Sequence, residues 1–329
     1  MLNIAQIGVG YWGPNLLRNF VDNPNCKLLS VVDLSEERRA YVSNLYPDIN
    51  VTDQIDDVVN DKQINAIVIS TPVFTHYDLA IRCLNAGKNV LVEKPMATKY
   101  EEVKKIENIA KKNKLIAMVG HTFLYNSAVK YMKEFIDNGE LGDIRYIYSQ
   151  RLNLGRIRED VDALWNLAPH DISIVQYLLN DIDPLSVKRM GQSYVQKKID
   201  DVAFLNLKYP NNILVNIHVS WLDPNKIRKM TVVGSKKMIV YDDIDKSKIK
   251  IYDKGIDKLA VLGKNMDFDN PSNYEFYHRD GDETIPKIEW VEPLKSEVAH
   301  FLDCILNNKN CLTDSLHAAK VVKILERAS

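Results

Sequence analysis

Short apolar runs bounded by turn-forming residues recur through the first part of the chain, at residues 3–7, 27–33, 66–70, 89–93 and 115–119. Between them lie stretches with apolar residues at helical spacing, such as 77–85 and 100–112. Strands that are apolar throughout, alternating with amphipathic helices, predict a parallel sheet covered on both faces, because each parallel crossover carries a helix over the sheet. Beyond Gly120 the period changes. Segments 144–153, 186–194, 202–209, 213–222 and 227–233 are strand-like, with few long helices between them. Ile213, Val215, Ile217, Val219 and Trp221 alternate with Leu214, Asn216, His218, Ser220 and Leu222. One face is therefore buried and the other mixed, as in an antiparallel sheet covered on one side by helices.

The expected fold class is α/β: a doubly wound parallel sheet over residues 1–120, then an α+β domain on an open, mostly antiparallel sheet over 121–329. Helices at 294–306 and 315–328 have ordinary apolar stripes and are assigned to packing, including packing back on the first domain. Residues 263–286 are too polar and irregular for core, and their clustered aromatics predict an ordered loop.

Length and composition agree with this division. A chain of 329 residues suits two domains, and 46% apolar with 26% charged residues is close to the globular average. Lys plus Arg number 43 against 44 Asp plus Glu, so no global basic field attracts nucleic acid or an anionic membrane. Any phosphate must be met locally. No apolar run approaches the ~20 residues that cross a bilayer, and the start MLNIAQIGVG lacks a basic segment and a cleavage site, so a cytoplasmic protein is expected. Cys26, Cys83, Cys304 and Cys311 contain no CxxC pair; reduced structural thiols and no metal site are expected.

Chemistry enters at the first turn. Gly8-Val9-Gly10-Tyr11-Trp12-Gly13 follows the first strand and precedes a helix opened by Pro14. In a dinucleotide fingerprint the first glycine turns the chain, the second admits a pyrophosphate, and the third lets helix and strand pack closely. Asp33 closes the second strand twenty residues beyond Gly13, where an acid meets an adenosine ribose. The alternative is that these glycines merely turn the chain and Asp33 caps the next helix. With all parts in register, Gly8, Gly10, Tyr11, Trp12, Gly13 and Asp33 are assigned to a cofactor. An acid repels a 2'-phosphate, which favours NAD; Arg38 and Arg39 keep NADP open.

Two further segments, Ser70-Thr71-Pro72-Val73-Phe74-Thr75-His76 and Val92-Glu93-Lys94-Pro95, end the third and fourth large strands, the sheet edge where open α/β folds bind ligands. In Trp165-Asn166-Leu167-Ala168-Pro169-His170-Asp171, Asn166 is expected to cap a helix with Pro169 in its first turn. That spacing puts Asn166 and His170 on one face.

With the glycine turn, the Ser70 and Glu93 segments make the chain resemble the Gfo/Idh/MocA family of nicotinamide-dependent sugar oxidoreductases. The resemblance implies a Rossmann domain followed by an open-sheet domain that presents substrate. It places Lys94 beside the nicotinamide and the reacting carbon, where an ammonium favours a developing alkoxide. Glu93 then positions the loop and the lysine. Thr71, Pro72 and His76 line the nicotinamide ribose, a helix-start role being the alternative for His76. The family's corresponding histidine, here His170, faces the lysine across a cleft as acid or base, often with an acid four positions earlier. Asn166 departs from that pattern and cannot take the proton, so the proton falls to His170, whose ordinary pKa is about 6.5, or to Lys94.

Arg156 and Arg158 can fork onto the phosphates of a nucleotide-linked sugar, or pair with Glu159 and Asp160. Trp165 joins them in the substrate group. The arginine that relatives often carry near 120–126 is missing, and Tyr125 or Asn126 takes its sugar contacts. The expected activity is oxidation at C3 of a UDP- or dTDP-sugar, as in surface-polysaccharide precursor synthesis. A dehydrogenase of a free polyol such as inositol or glucose is one alternative. A non-catalytic dinucleotide-binding regulator is another, against which the presence of both Lys94 and His170 argues. A homodimer or homotetramer through the mixed sheet face is expected.

Overall fold

A computed structural model describes residues 1–155, 157–260 and 274–329. The chain divides into two compact units that are discontinuous in sequence. The first comprises Met1–Val129, Arg158–Asp183 and Trp290–Ser329; the second comprises Lys130–Ile157 and Pro184–Glu289. Where a single break near residue 120 was expected, the chain crosses between units four times, and the segment carrying His170 belongs with the first unit. No hydrophobic pattern marks these crossings, because each segment is amphipathic whichever unit its apolar stripe faces.

In the first unit, β1 (Leu2–Ile7), α1 (Gly13–Val21), β2 (Cys26–Val32), α2 (Glu36–Leu45), β3 (Asn50–Thr52), α3 (Asp56–Val59), β4 (Ala66–Ile69), α4 (His76–Asn85), β5 (Asn89–Glu93), α5 (Tyr100–Asn113) and β6 (Ala117–Gly120) alternate. The six strands form a fully parallel sheet in the order β3-β2-β1-β4-β5-β6. Alternation along the strands divides two cores. Ile67, Ile69, Val90 and Val92 face α4 and α5, and Ala66, Val68 and Leu91 face the opposite side with Leu16, Leu17 and Phe20 of α1. β3 has three residues and no apolar run, so its place at the sheet edge was not legible in the hydrophobic pattern.

The chain continues through α6 (Ser127–Asp137) and β7 (Ile144–Leu154) to α7 (Ala163–Leu178). In the second unit β7 joins β8 (Ser186–Gln192), β9 (Val202–Lys208), β10 (Leu214–Ser220), β11 (Leu222–Gly234), β12 (Met238–Asp242), β13 (Ile249–Ala260) and β14 (Tyr274–Thr284). Their order is β14-β13-β12-β11-β7-β10-β9-β8, antiparallel except for β7 with β10. Val215, Ile217, Val219 and Trp221 are buried as the alternation predicts.

The loop expected over 263–286 is corrected in part: residues 274–284 are strand β14, paired along β13, and 263–273 lie outside the described residues. Charge rather than apolar alternation joins this pair. Arg279 donates to Asp253 at 2.9 Å and to Asp257 at 2.6 Å, and Lys254 meets Asp280 at 2.8 Å.

Two last helices, α8 (Pro293–Asn307) and α9 (Ser315–Arg327), belong to the first unit. Leu294, Val298, Phe301 and Leu302 of α8 complete one core and Ala318, Ala319 and Val322 of α9 the other, as their apolar stripes predict. Among the described residues, no helix is long and apolar enough to cross a membrane.

Candidate active site

The glycine turn is built as its spacing requires. Gly8 has φ +95°, and a Cβ there would stand 2.7 Å from the Ser70 carbonyl oxygen, so only glycine fits without strain. Gly13 opens α1 with its Cα against the Gly8 carbonyl, while Gly10 has open space where a Cβ would project. Two braces were not legible in the sequence. The buried Gln6 amide donates to the carbonyls of Gly8 at 2.9 Å and Gly13 at 3.0 Å, and the Ser70 hydroxyl donates to Gly8 at 2.7 Å. A glutamine within an apolar strand is the one signal that pointed to it. Tyr11 is 84% exposed and Trp12 partly so, both standing on the turn.

Asp33 does not cap α2; Ser35 does, accepting from the Arg38 amide. The Asp33 carboxylate accepts from Val9 N at 2.7 Å and from Ser35 N at 2.9 Å. It thereby ties the end of β2 to the glycine turn. Arg39 lies beneath it, donating to the carbonyls of Asp33 at 2.8 Å and Leu34 at 3.0 Å.

The two sheet-edge segments are joined through His76. Its Nδ1 lies 2.8 Å from the Pro95 carbonyl and its Nε2 2.9 Å from the Thr71 carbonyl, and the ring is almost fully buried. Burial pushes its pKa down, against the opposing pull of those two carbonyls. His76 is thus wedged between the Thr71 and Pro95 carbonyls as the first residue of α4, its neutral ring donating to one of them; a ring so buried does not line an exposed ribose site, which corrects that expectation. Thr71 and Pro72 remain at the surface of the loop, with the Thr71 and Thr75 hydroxyls 2.6 Å apart.

Glu93 ends β5 and accepts from the Lys94 amide at 3.1 Å. Burial raises its pKa to about 7, opposed by the Lys94 charge, the Lys94 amide and the Trp12 indole. A second carboxyl shares this pocket. Glu297 of α8 is 1% exposed, and a Cβ on Gly120 would meet Glu93 Oε1 at 3.3 Å and Glu297 Oε1 at 3.4 Å. Burial, and then the Glu93 charge, holds the Glu297 pKa well above the ordinary carboxylate range. Nothing in the helical stripe of α8 distinguished Glu297 from a solvent-facing acid.

Lys94 precedes a cis peptide bond to Pro95, and its Nζ donates to the Asn166 carbonyl at 2.9 Å. That contact ties the residue after β5 to α7 within one compact unit. The helix start differs from expectation. Asp162 is the cap, accepting from Trp165 N at 2.9 Å, so Asn166 lies inside α7 and Pro169 in its body. Proline has no amide to give the Trp165 carbonyl. The helix persists because Ala168, Pro169, Ile172 and Val175 are buried. Asn166 and His170 stay four residues apart on one face, as expected. The His170 ring packs edge-on against Phe123, with centroids 4.9 Å apart. Phe123 was not singled out by the sequence; it precedes Leu124 and Tyr125, which turn inward.

The remaining substrate assignments fare differently. Tyr125 is 2% exposed, with its hydroxyl 3.0 Å from that of Thr313, so it is a core residue and not a sugar contact. Asn126 is likewise fully buried. The Trp165 indole donates to the Ser329 hydroxyl at 2.9 Å, and its ring packs on the α4–α5 core. Arg158 pairs with Asp160 through two bonds of 2.8 and 2.5 Å. Arg156 lies outside the described residues.

Comparison with known proteins matches two consecutive stretches of the chain. Residues 2–121 match the model of the oxidoreductase family with an NAD-binding Rossmann fold, and residues 129–240 match the GFO/IDH/MocA C-terminal domain. The 2,7-anhydro-N-acetylneuraminate hydratase of Escherichia coli (strain K12) is 26% identical over 66% of this chain and 61% of its own length. The inositol 2-dehydrogenase of Salmonella typhimurium (strain LT2) is 26% identical over 67% of this chain and 68% of its own. The chain spans about 60% of the length of several of the curated relatives it matches. Among solved structures, the UDP-N-acetylglucosamine 3-dehydrogenase GnnA from Acidithiobacillus ferrooxidans superposes with a TM-score of 0.80 at 21% identity, covering 99% of this chain and 96% of that one. Two matched family domains, over a parallel sheet with its glycine turn and a second, mostly antiparallel sheet, establish that the chain belongs to the Gfo/Idh/MocA oxidoreductase family.

Proposed function

We propose that the chain is an NAD-dependent oxidoreductase acting on a CH–OH carbon of a sugar ring. The residues fit the cofactor: Gly8 turns the chain, Gly10 leaves clearance, and Asp33 closes the turn from the ribose side. When bound, nicotinamide supplies the hydride acceptor or donor. His170 takes the hydroxyl proton on oxidation and returns it on reduction, and Lys94 donates to the same oxygen and steadies its negative charge. Phe123 fixes the imidazole edge-on. Lys94 Nζ on the Asn166 carbonyl is the observation that carries this reading, because it draws the motif lysine onto the turn of α7 that bears His170. Asn166 orients a substrate hydroxyl and exchanges no proton.

NAD is favoured over NADP by the Asp33 carboxylate, which repels a 2'-phosphate, and by Arg39, whose guanidinium is engaged by backbone carbonyls. For the substrate, we propose a nucleotide-activated sugar oxidised at C3, the activity named for the structurally similar GnnA. A free polyol is the second reading. Inositol dehydrogenases among the relatives favour it, as does Arg158, whose fork is turned onto Asp160. Assembly through the mixed face of the second sheet is proposed from its aromatic content: Tyr146 and Tyr148 stack there, as do Phe204 and His218, all partly exposed.

A panel of UDP- and dTDP-sugars and polyols, followed by NADH absorbance, tests the reading. Turnover of a nucleotide sugar without a polyol supports the first substrate, and the converse supports the second. Lys94→Ala is expected to lower kcat by about 100-fold or more while NADH binding persists. Undiminished turnover in that variant removes the mechanism.

A further inference from the structure

Three soft ligand side chains meet away from the Lys94–His170 constellation. His300 and Cys304 are four residues apart on α8 and so adjacent on one face. The helix ends at Asn308, whose left-handed φ of 49° reverses the chain, and Cys311 returns over the same turn. The ligand atoms of His300, Cys304 and Cys311 all lie within 4.8 Å of one another, and His300 Nε2 is 3.4 Å from Cys304 Sγ. We propose that these three residues bind one zinc ion per chain, with a solvent molecule as the fourth ligand.

The distances suit the ion. Tetrahedral zinc with Zn–S near 2.3 Å and Zn–N near 2.0 Å sets its sulfurs about 3.8 Å apart and nitrogen to sulfur about 3.5 Å. Closing the cluster therefore takes small side-chain movements. The imidazole is also in the required state. The Leu312 backbone amide donates to His300 Nε2 at 3.0 Å, and a nitrogen that accepts this bond carries a lone pair and no proton. Zinc binding exchanges that contact, and the Cys304 thiol's bond to the Asn310 carbonyl, for metal bonds; each thiol releases its proton to solvent. Two thiolates and a neutral imidazole then balance the charge of a divalent ion. Cys304 is buried while His300 and Cys311 are half-buried, so the cluster stands nearest the surface on the His300 side. Nitrogen and sulfur donors without carboxylate exclude magnesium and calcium.

The site has a structural consequence. Thr313, two residues beyond Cys311, accepts the Val119 amide at 2.9 Å, and its hydroxyl donates to the Val119 carbonyl at 2.8 Å. A metal linking α8 to residue 311 thus fastens that helix to the segment seated on β6.

The test uses the whole chain, reduced, stripped with chelator and reloaded with zinc or cobalt(II). One metal ion per chain is expected, with a tetrahedral cobalt spectrum and a thiolate charge-transfer band. Magnesium in excess is expected to leave both unchanged. Cys311→Ser, at a half-buried position, is expected to weaken zinc binding by at least about 100-fold with the fold intact, since even outer-shell partners cost about 10–100-fold. His300→Gln is expected to do the same without removing a thiol. Equal zinc binding in both variants, an octahedral cobalt spectrum, or displacement by magnesium overturns the proposal.

Discussion

Replacing Glu93 by Gln isolates the electrostatic state of the pocket beneath Lys94. Burial raises the Glu93 pKa from its ordinary 4.5 to about 7. Glu93 and Glu297 converge on the same side of Gly120, so the two carboxyls lie within roughly 7 Å and each charge opposes the other. An acid whose pKa is raised on folding binds its proton more tightly in the native than in the unfolded chain. Its contribution therefore destabilises progressively as pH rises from about 4.5 to about 7, and is constant above that. At about 1.4 kcal/mol for each tenfold change in proton affinity, the rise to about 7 is worth roughly 3 kcal/mol. The buried His76 and His121, whose pKa values burial lowers, act in the opposite sense and cost stability as pH falls below about 6.5. They are present in both proteins and cancel in the difference. Urea unfolding of the parent and Glu93→Gln at pH 5 and pH 8 is thus expected to show the variant gaining roughly 2–3 kcal/mol relative to the parent between the two, since part of the penalty has already developed at pH 5. Parallel pH profiles, or a variant that loses ground with rising pH, refute the reasoning.

Three further outcomes follow from the same geometry. Gly8→Ala places a Cβ 2.7 Å from the Ser70 carbonyl at a φ of +95°, and is expected to cost about 1–3 kcal/mol and weaken NADH binding, read by thermal unfolding and fluorescence titration. Tyr125→Phe removes the bond to Thr313 and is expected to cost about 1 kcal/mol with kcat and KM unchanged, since the ring is core. Asp33→Ser removes the charge that disfavours a 2'-phosphate, and the NAD-to-NADP ratio of kcat/KM is expected to fall by about tenfold or more, corresponding to about 1.4 kcal/mol.

The parallel sheet was legible because its strands are apolar on both faces and its turn demands glycine. Gly8 was legible because its left-handed backbone demands glycine, and Asp33 and Lys94 were singled out by their place in a motif. Tyr125 was misplaced because a tyrosine near a strand end reads alike whether its ring enters the core or a cleft; only the partner Thr313, nearly two hundred residues away, decides it. The start of α7 was read from Pro169, the strongest local signal, but tertiary packing of Ala168 and Ile172 overrides the proline. Gln6, Phe123 and Glu297 went unseen because their roles depend on neighbours brought together by the fold. β14 escaped because charge pairs replace the apolar alternation on which strand detection depends.

The interleaving of the two units bears on how the protein is made. Residues Trp290–Ser329 supply α8 and α9, which cover opposite faces of the dinucleotide-binding sheet. On the ribosome, the strands and glycine turn emerge first, yet part of their apolar faces waits for residues 290–329 to cover it. The nascent chain therefore carries exposed aliphatic surface throughout synthesis of the second unit, and this is the interval in which chaperone capture is most favoured.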